Sequence, residues 1–168
     1  KKEVSSPLRG GGRERGQIRM SSANSINFGR LLPQSFYYFW AVRELRAKFK
    51  IMGPPVIVVP SGNFGNLTAG LMARRMGLPV SKFVAATNIN DAVPQYLKTG
   101  RFKPKKSKAT ISNAMDVGNP SNFARMLEIY QNNFLLMNRE IEGVSIQDQT
   151  TRKTIKEIYQ KTGYLLDP

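Results

Sequence analysis

The sequence predicts an α/β fold built on a partial, open sheet of the parallel type with helices packed against it. Three observations lead there. Val56-Ile57-Val58-Val59 is a short, wholly apolar, β-branched run, which suits a strand covered on both faces. After a turn over Pro60 to Asn66, the segment Leu67 to Met76 has apolar residues at helical spacing. A second strand-like run, Lys82 to Thr87, follows that helix. Strand, loop, helix and strand in this order form the unit of a parallel sheet, with a crossover expected to be right-handed.

The remaining elements follow in chain order. Residues 1–20 hold Gly10, Gly11 and Gly12 among alternating charges and show no apolar period, so they are expected to be a flexible arm or junction ahead of an incomplete α/β domain over 21–168. From Asn27 to Lys50, Phe28, Leu31, Leu32, Phe36, Phe39, Trp40, Val42, Leu45 and Phe49 recur mostly at three- and four-residue spacing. That pattern predicts a long buried helix, bent or started near Pro33, with the group Phe36 to Trp40 in the core. Gly53-Pro54-Pro55 end it, and Gly77 is placed to stop the Leu67 to Met76 helix. A short helix is predicted from Asp91 to Lys98, ending at Gly100, and then mostly loop from Arg101 to Asn119. Phe123, Met126, Leu127, Tyr130, Phe134 and Met137 predict one helix over Asn122 to Asn138. A last helix is predicted from Asp148, as N-cap, to a stop at Gly163.

Composition narrows the chemistry. With no Cys and no His, disulfides, Cys/His metal sites and Ser-His or Cys-His catalysis are excluded by inventory, and no metal site is expected. Lys, carboxylates, hydroxyls, main chain or a cofactor must do any chemistry. No stretch approaches the roughly 20 apolar residues that cross a bilayer, so a soluble, cytoplasmic protein is expected. The formal charge of +15 favours polyanions in general, but no nucleic-acid-binding motif accompanies it. Part of that charge lies in the run Arg101, Lys103, Lys105, Lys106, Lys108, which also suits a solvated loop.

Ser61-Gly62-Asn63-Phe64-Gly65-Asn66 is the most informative segment, because it lies between an apolar strand and a helix. Glycines allow positive φ and close approach, so that several N–H groups can converge on one anion, and the following helix aims its positive end at the same point. Ser61, Asn63 and Asn66 offer side-chain donors as well. The segment lacks the Gly-Lys-Ser/Thr ending of a P-loop and the glycine spacing of a dinucleotide fingerprint, which disfavours a nucleotide. A tight turn using glycine only for geometry accounts for the same letters.

The stretch Pro60-Ser-Gly-Asn-Phe-Gly-Asn-Leu-Thr-Ala-Gly70 resembles the cofactor-phosphate loop of the threonine synthases, fold-type II pyridoxal-phosphate enzymes of the tryptophan synthase β-like architecture. Three more stretches agree with that family in order: Ser22 to Asn27 with Arg30, Ala85 to Asp91 with Val93-Pro94, and Ser112 to Asp116 with Asn119 to Asn122. The resemblance implies pyridoxal 5'-phosphate as cofactor and the conversion of O-phospho-L-homoserine and water into threonine and phosphate. It implies further that Gly62, Asn63, Phe64, Gly65 and Asn66 hold the cofactor phosphate. Asn24, Ser25, Asn27 and Arg30 are candidates for substrate or cofactor contact, with helix capping as the other role open to them. Asn88, Asn90 and Asp91 follow a strand end, where ligands of open α/β sheets gather, although Asn90 or Asp91 also suits an N-cap. Ser112, Asn113 and Asp116 are candidates beside the basic run, with ordinary turn chemistry as their alternative.

One expected part is missing from the resemblance. The family's Schiff-base lysine sits in a Phe-Lys-Asp type motif before the phosphate loop, and no such motif occurs here. The expectation is therefore a partial threonine synthase with no catalytic lysine, inactive as this chain; the alternatives are a cofactor- or phosphate-binding remnant and, on charge alone, a basic nucleic-acid-binding module. A partial sheet would also expose edges and apolar helix faces, so self-association is expected.

Overall fold

A computed structural model describes residues 27–168. The proposed arm over 1–20, and Asn24 and Ser25, lie outside the described residues. A 3-10 turn, Phe28–Arg30, leads into α1, Leu31–Phe49, and then β1, Val56–Pro60. α2, Gly65–Arg75, connects β1 to β2, Lys82–Thr87. α3, Ala92–Thr99, is followed by a long loop with one 3-10 turn, Asn113–Met115. α4, Phe123–Ile129, and α5, Phe134–Glu140, precede β3, Ile141–Ser145, and α6, Asp148–Thr162.

The three strands form one sheet in the order β1-β2-β3, parallel throughout. Val59 lies opposite Ala85, and Ala85 opposite Gly143, so the three C-terminal ends lie along one edge. Ser61 N–H continues the ladder to Ala86 O at 2.8 Å. The core joins Val59, Phe83, Ala85 and Ile141 of the sheet to Leu67 and Leu71 of α2, Val93 and Leu97 of α3, and Met126 and Met137 of α4 and α5. Tyr38 and Phe83 meet edge to face across 5.9 Å.

Four expectations need correction. β1 is not covered on both faces: Val56 is 56% and Val58 62% exposed, while Val59 is buried, because β1 is an edge strand with one open face. α1 is not a buried helix. Only Leu31, Ser35, Tyr38 and Val42 of its nineteen residues are buried, and Phe36, Tyr37, Phe39 and Trp40 are exposed. The helix does start near Pro33, as expected: it begins at Leu31, and a proline in the first turn lacks only an N–H that has no intrahelical acceptor. The single helix predicted over Asn122 to Asn138 is two helices. Gln131 and Asn132 adopt left-handed φ values of 50° and 58°, and the Asn133 side chain accepts a bond from Leu136 N–H to start α5. Tyr130 and Phe134 keep helical spacing on both sides of the break, which hides it from the periodicity. Finally, Gln147 rather than Asp148 is the N-cap of α6.

β3 had no expectation attached to it. Ile141-Glu-Gly-Val-Ser carries no apolar run, and its pairing with β2 is what makes it a strand. Its glycine is required by closeness. A Cβ on Gly143 would come within 2.6 Å of Pro94 Cα in α3. Backbone cannot retreat as a flexible side-chain end can, so Gly143→Ala is expected to cost about 1–3 kcal/mol, as overpacking usually does. Urea denaturation followed by far-UV circular dichroism measures that loss. Among the described residues no helix is long and apolar enough to cross a membrane.

Candidate functional site

Where β1 ends, the chain turns through Ser61 to Phe64 into α2. The residue carrying positive φ is not a glycine, as the sequence suggested, but Phe64, whose φ is 60°. A non-glycine residue in this region stores backbone strain of order 1–2 kcal/mol. The Phe64 side chain is buried in the core, which holds the strained turn in place. Gly62 is needed for space: a Cβ there would lie 2.7 Å from Met115 Cα and 3.3 Å from Ala114 O. Gly65 is the first residue of α2.

The polar side chains of this loop bond to other parts of the protein. Ser61 Oγ donates to Val59 O at 2.9 Å. Asn63 Oδ1 accepts from Ser121 N–H at 2.7 Å, and the Asn63 carbonyl accepts from Asn122 Nδ2 at 2.9 Å. Asn66 Oδ1 accepts from the Tyr38 hydroxyl, which also reaches Asn66 O at 3.0 Å. These bonds brace the loop to β1, to the start of α4 and to α1. Main-chain N–H groups of the first turn of α2, which lack intrahelical acceptors, are then the donors that the loop can aim at an anion.

A cavity of about 370 Å³ opens beside the loop, at the C-terminal ends of the strands. Pro60, Thr87, Asn88, Ser112, Met115 and Ile146 contribute to its wall. It meets the phosphate-type loop through Pro60, which precedes Ser61, and Met115, which touches Gly62. Among the described residues, no lysine lines it.

Of the predicted site residues, Asn88 and Ser112 face this cavity. Asn90 and Asp116 lie behind Asn88 in a bonded cluster: Asn88 Oδ1 accepts from Asn90 N–H at 2.9 Å, and Asn88 Nδ2 donates to Asp116 Oδ1 at 2.8 Å. Asp91 takes the N-cap position of α3 without a capping bond. Its carboxylate instead accepts from Gln95 at 2.8 Å and pairs with Lys105 at 3.2 Å. Asn113 is exposed in the 3-10 turn. Asn27 caps the first 3-10 turn by accepting from Gly29 N–H at 2.9 Å, and Arg30 stands at the N-cap position of α1, exposed. Thr110 and Thr87 were not singled out by the sequence. Thr110 bonds the Asp116 carboxylate, and Thr87 lines the cavity. Isolated threonines carry no pattern that would have marked either.

Residues 34–168 match the family of pyridoxal-phosphate dependent enzymes. The chain belongs to that family. It is 48% identical over 151 residues to the threonine synthase of Haemophilus influenzae, a match that covers 90% of this chain and 35% of the relative. The crystal structure of threonine synthase from Escherichia coli superposes with a TM-score of 0.76 at 46% identity, over 87% of this chain and 33% of that one. A pyridoxal-phosphate-bound threonine synthase from Brucella melitensis superposes with the same TM-score of 0.76 at 32% identity, over 88% of this chain and 36% of that one. The chain thus spans about a third of the length of the curated relatives it matches. Its architecture is that of the fold-type II pyridoxal-phosphate enzymes.

Asp116 is held below the usual carboxylate range. Burial pushes it upward, but the hydroxyl and N–H of Thr110 and the amide of Asn88 outweigh that by favouring the ionised form. A carboxyl depressed by folding adds stability above its unfolded pKa, and that stability is lost as pH falls through the folded value. The thermal midpoint should therefore fall on acidification below about pH 4, with a shallower fall in Asp116→Asn. Gly62→Ala tests the contact with Met115 directly. Forcing the two loops apart is expected to cost about 1–3 kcal/mol in urea denaturation.

Proposed function

We propose that this chain carries the cofactor-phosphate-binding part of a threonine synthase, the enzyme that turns O-phospho-L-homoserine and water into threonine and phosphate. The observation that carries the reading is the placing of the loop Ser61 to Asn66 and the first turn of α2 at the C-terminal edge of a parallel sheet, beside a cavity walled by Asn88 and Ser112. Identity of 46–48% to threonine synthases over nine tenths of the chain supports the substrate assignment.

Pyridoxal phosphate, when bound, supplies an electron sink for the substrate carbons. The chain's own part is to bind and orient. The donor set fits a phosphate: N–H groups at the start of α2 carry partial positive charge, and no carboxylate of the described residues lies in the loop itself. Gly62 to Asn66 hold the phosphate through main chain, while the bonds that Ser61, Asn63 and Asn66 make to neighbouring elements keep those groups aimed. Asn88 and Ser112 offer polar contacts further along the cavity. Asn24, Ser25, Asn27, Arg30 and Asn113 are assigned to substrate contact on the strength of the family motifs. The reading carries a cytoplasmic location with it.

The absence of lysine from the cavity wall among the described residues favours a second step in the reading: the chain holds the cofactor without bonding its aldehyde. A suitable probe is 4-deoxypyridoxine 5'-phosphate, which keeps ring and phosphate but has no aldehyde to react with the many surface lysines. It should bind at least tenfold more tightly than 4-deoxypyridoxine, with inorganic phosphate competing, as followed by Trp40 fluorescence or equilibrium dialysis. Equal binding of the two would remove the phosphate assignment. Incubation of the chain with pyridoxal phosphate and O-phospho-L-homoserine should release no phosphate; release would show that a lysine of this chain serves.

A further inference from the structure

We propose that Asp116 is a positioning residue of the cofactor-phosphate site, its carboxylate tying the loop over residues 108–118 to the end of β2 and so setting the Ser112 to Met115 turn against Gly62. This rests on the reading of Ser61 to Asn66 as a phosphate cradle and adds a role that the motif alone does not assign.

The bonds are specific. Asp116 Oδ1 accepts from Asn88 Nδ2 at 2.8 Å, Thr110 Oγ1 at 2.8 Å and Asn90 Nδ2 at 3.2 Å, while Oδ2 accepts from Thr110 N–H at 3.0 Å. Every one of these partners donates. Asn88 directly follows β2, and both Asn88 and Asn90 are buried, so the carboxylate is anchored beside the end of the sheet. Asn90 grips the same loop a second time, donating to Lys108 O at 2.9 Å and accepting from Lys108 N–H at 2.8 Å.

From Asp116 the geometry passes directly to the cradle. Asp116 N–H donates to Asn113 O at 3.1 Å and Met115 N–H to Ser112 O at 2.9 Å, which closes the turn next to the carboxylate. The outer side of that turn is Met115 Cα and Ala114 O, the atoms that leave Gly62 no room for a Cβ. A shift of the turn therefore either opens a gap beside Gly62 or presses on it. α6 restrains the loop independently, through Asp148 Oδ2, which accepts from Ile111 N–H at 3.2 Å.

Ionisation is essential to this arrangement. In Asp116→Asn one oxygen becomes an NH₂ group, and in either orientation that donor faces a donor: Thr110 N–H on one side, or Asn88, Asn90 and the Thr110 hydroxyl on the other. The change is nearly isosteric, so its effect reads the hydrogen bonds and not lost volume.

The test compares three variants with the unaltered chain in affinity for 4-deoxypyridoxine 5'-phosphate and in thermal midpoint. Asp116→Asn should weaken binding of the phosphorylated ring at least tenfold and leave the weak binding of unphosphorylated 4-deoxypyridoxine within twofold. Glu140→Gln, in the separate cluster where Glu140 pairs with Arg74 and accepts from Tyr130, serves as the control. It should lower the midpoint yet keep the affinity within twofold. Thr110→Val removes one donor and keeps the N–H, so it should show a smaller loss in the same direction, and it replaces Asp116→Asn if that variant fails to fold. Retention of native affinity in Asp116→Asn, or in Thr110→Val where it stands in, would overturn the proposal while leaving the cradle intact. If the unaltered chain does not prefer the phosphorylated ring, the cradle reading fails and this proposal falls with it.

Discussion

Parallel pairing of β1, β2 and β3 is the constraint from which the rest of the molecule follows. Strands that run the same way end on the same edge, so Pro60, Thr87 and Ser145 arrive together although they are far apart in sequence. Each strand must then be left by a loop at that edge, and each return needs a crossover on a face of the sheet. α2 makes the first return, and its N-terminus accordingly points at the shared edge. Polar residues gather there because the strand ladder has run out and the last main-chain groups need partners.

The loop after β1 solves a harder problem than turning. It must place several N–H groups toward one point while keeping its own side chains from filling that point. The structure does so by bonding Ser61, Asn63 and Asn66 to Val59, Ser121 and Tyr38. Strain at Phe64 is tolerated because its ring is buried in the core. A polar motif that reads as a set of ligand side chains is thus, in three dimensions, largely a frame for main chain.

Much of this was legible in the sequence where local signals and tertiary packing agree. β2 over Lys82–Thr87 and the stops at Gly77, Gly100 and Gly163 were readable because each has a local cause, a β-branched or apolar run or a glycine that takes positive φ. The failures share a different cause. The exposure of Trp40 and Val58 depends on what covers α1 and β1, and apolar spacing alone does not say whether a cover exists. β3 has one fully buried aliphatic residue, Ile141, and exists through its pairing with β2. The α4–α5 break was concealed because Tyr130 and Phe134 stay in phase across it. At the site, the family motifs placed Asn88, Asn90 and Asp116 in the right neighbourhood, but whether such groups face a ligand or one another is a matter of side-chain direction that spacing does not encode.

The Tyr38 hydroxyl, which joins α1 to Asn66 at the start of α2, has a further consequence. Burial pushes its pKa upward, so it stays protonated and remains a donor at any ordinary pH. The chain has no histidine and no cysteine, and the shifted carboxyls Asp91 and Asp116 are displaced downward, away from neutrality. Neither Tyr38 nor Asp116 is shifted toward the range between about pH 5 and 8 that histidine usually governs. A phosphate monoester, by contrast, takes its second charge near pH 6. Across neutrality Tyr38 and Asp116 therefore act as a fixed reference, against which the guest's second ionisation can be read.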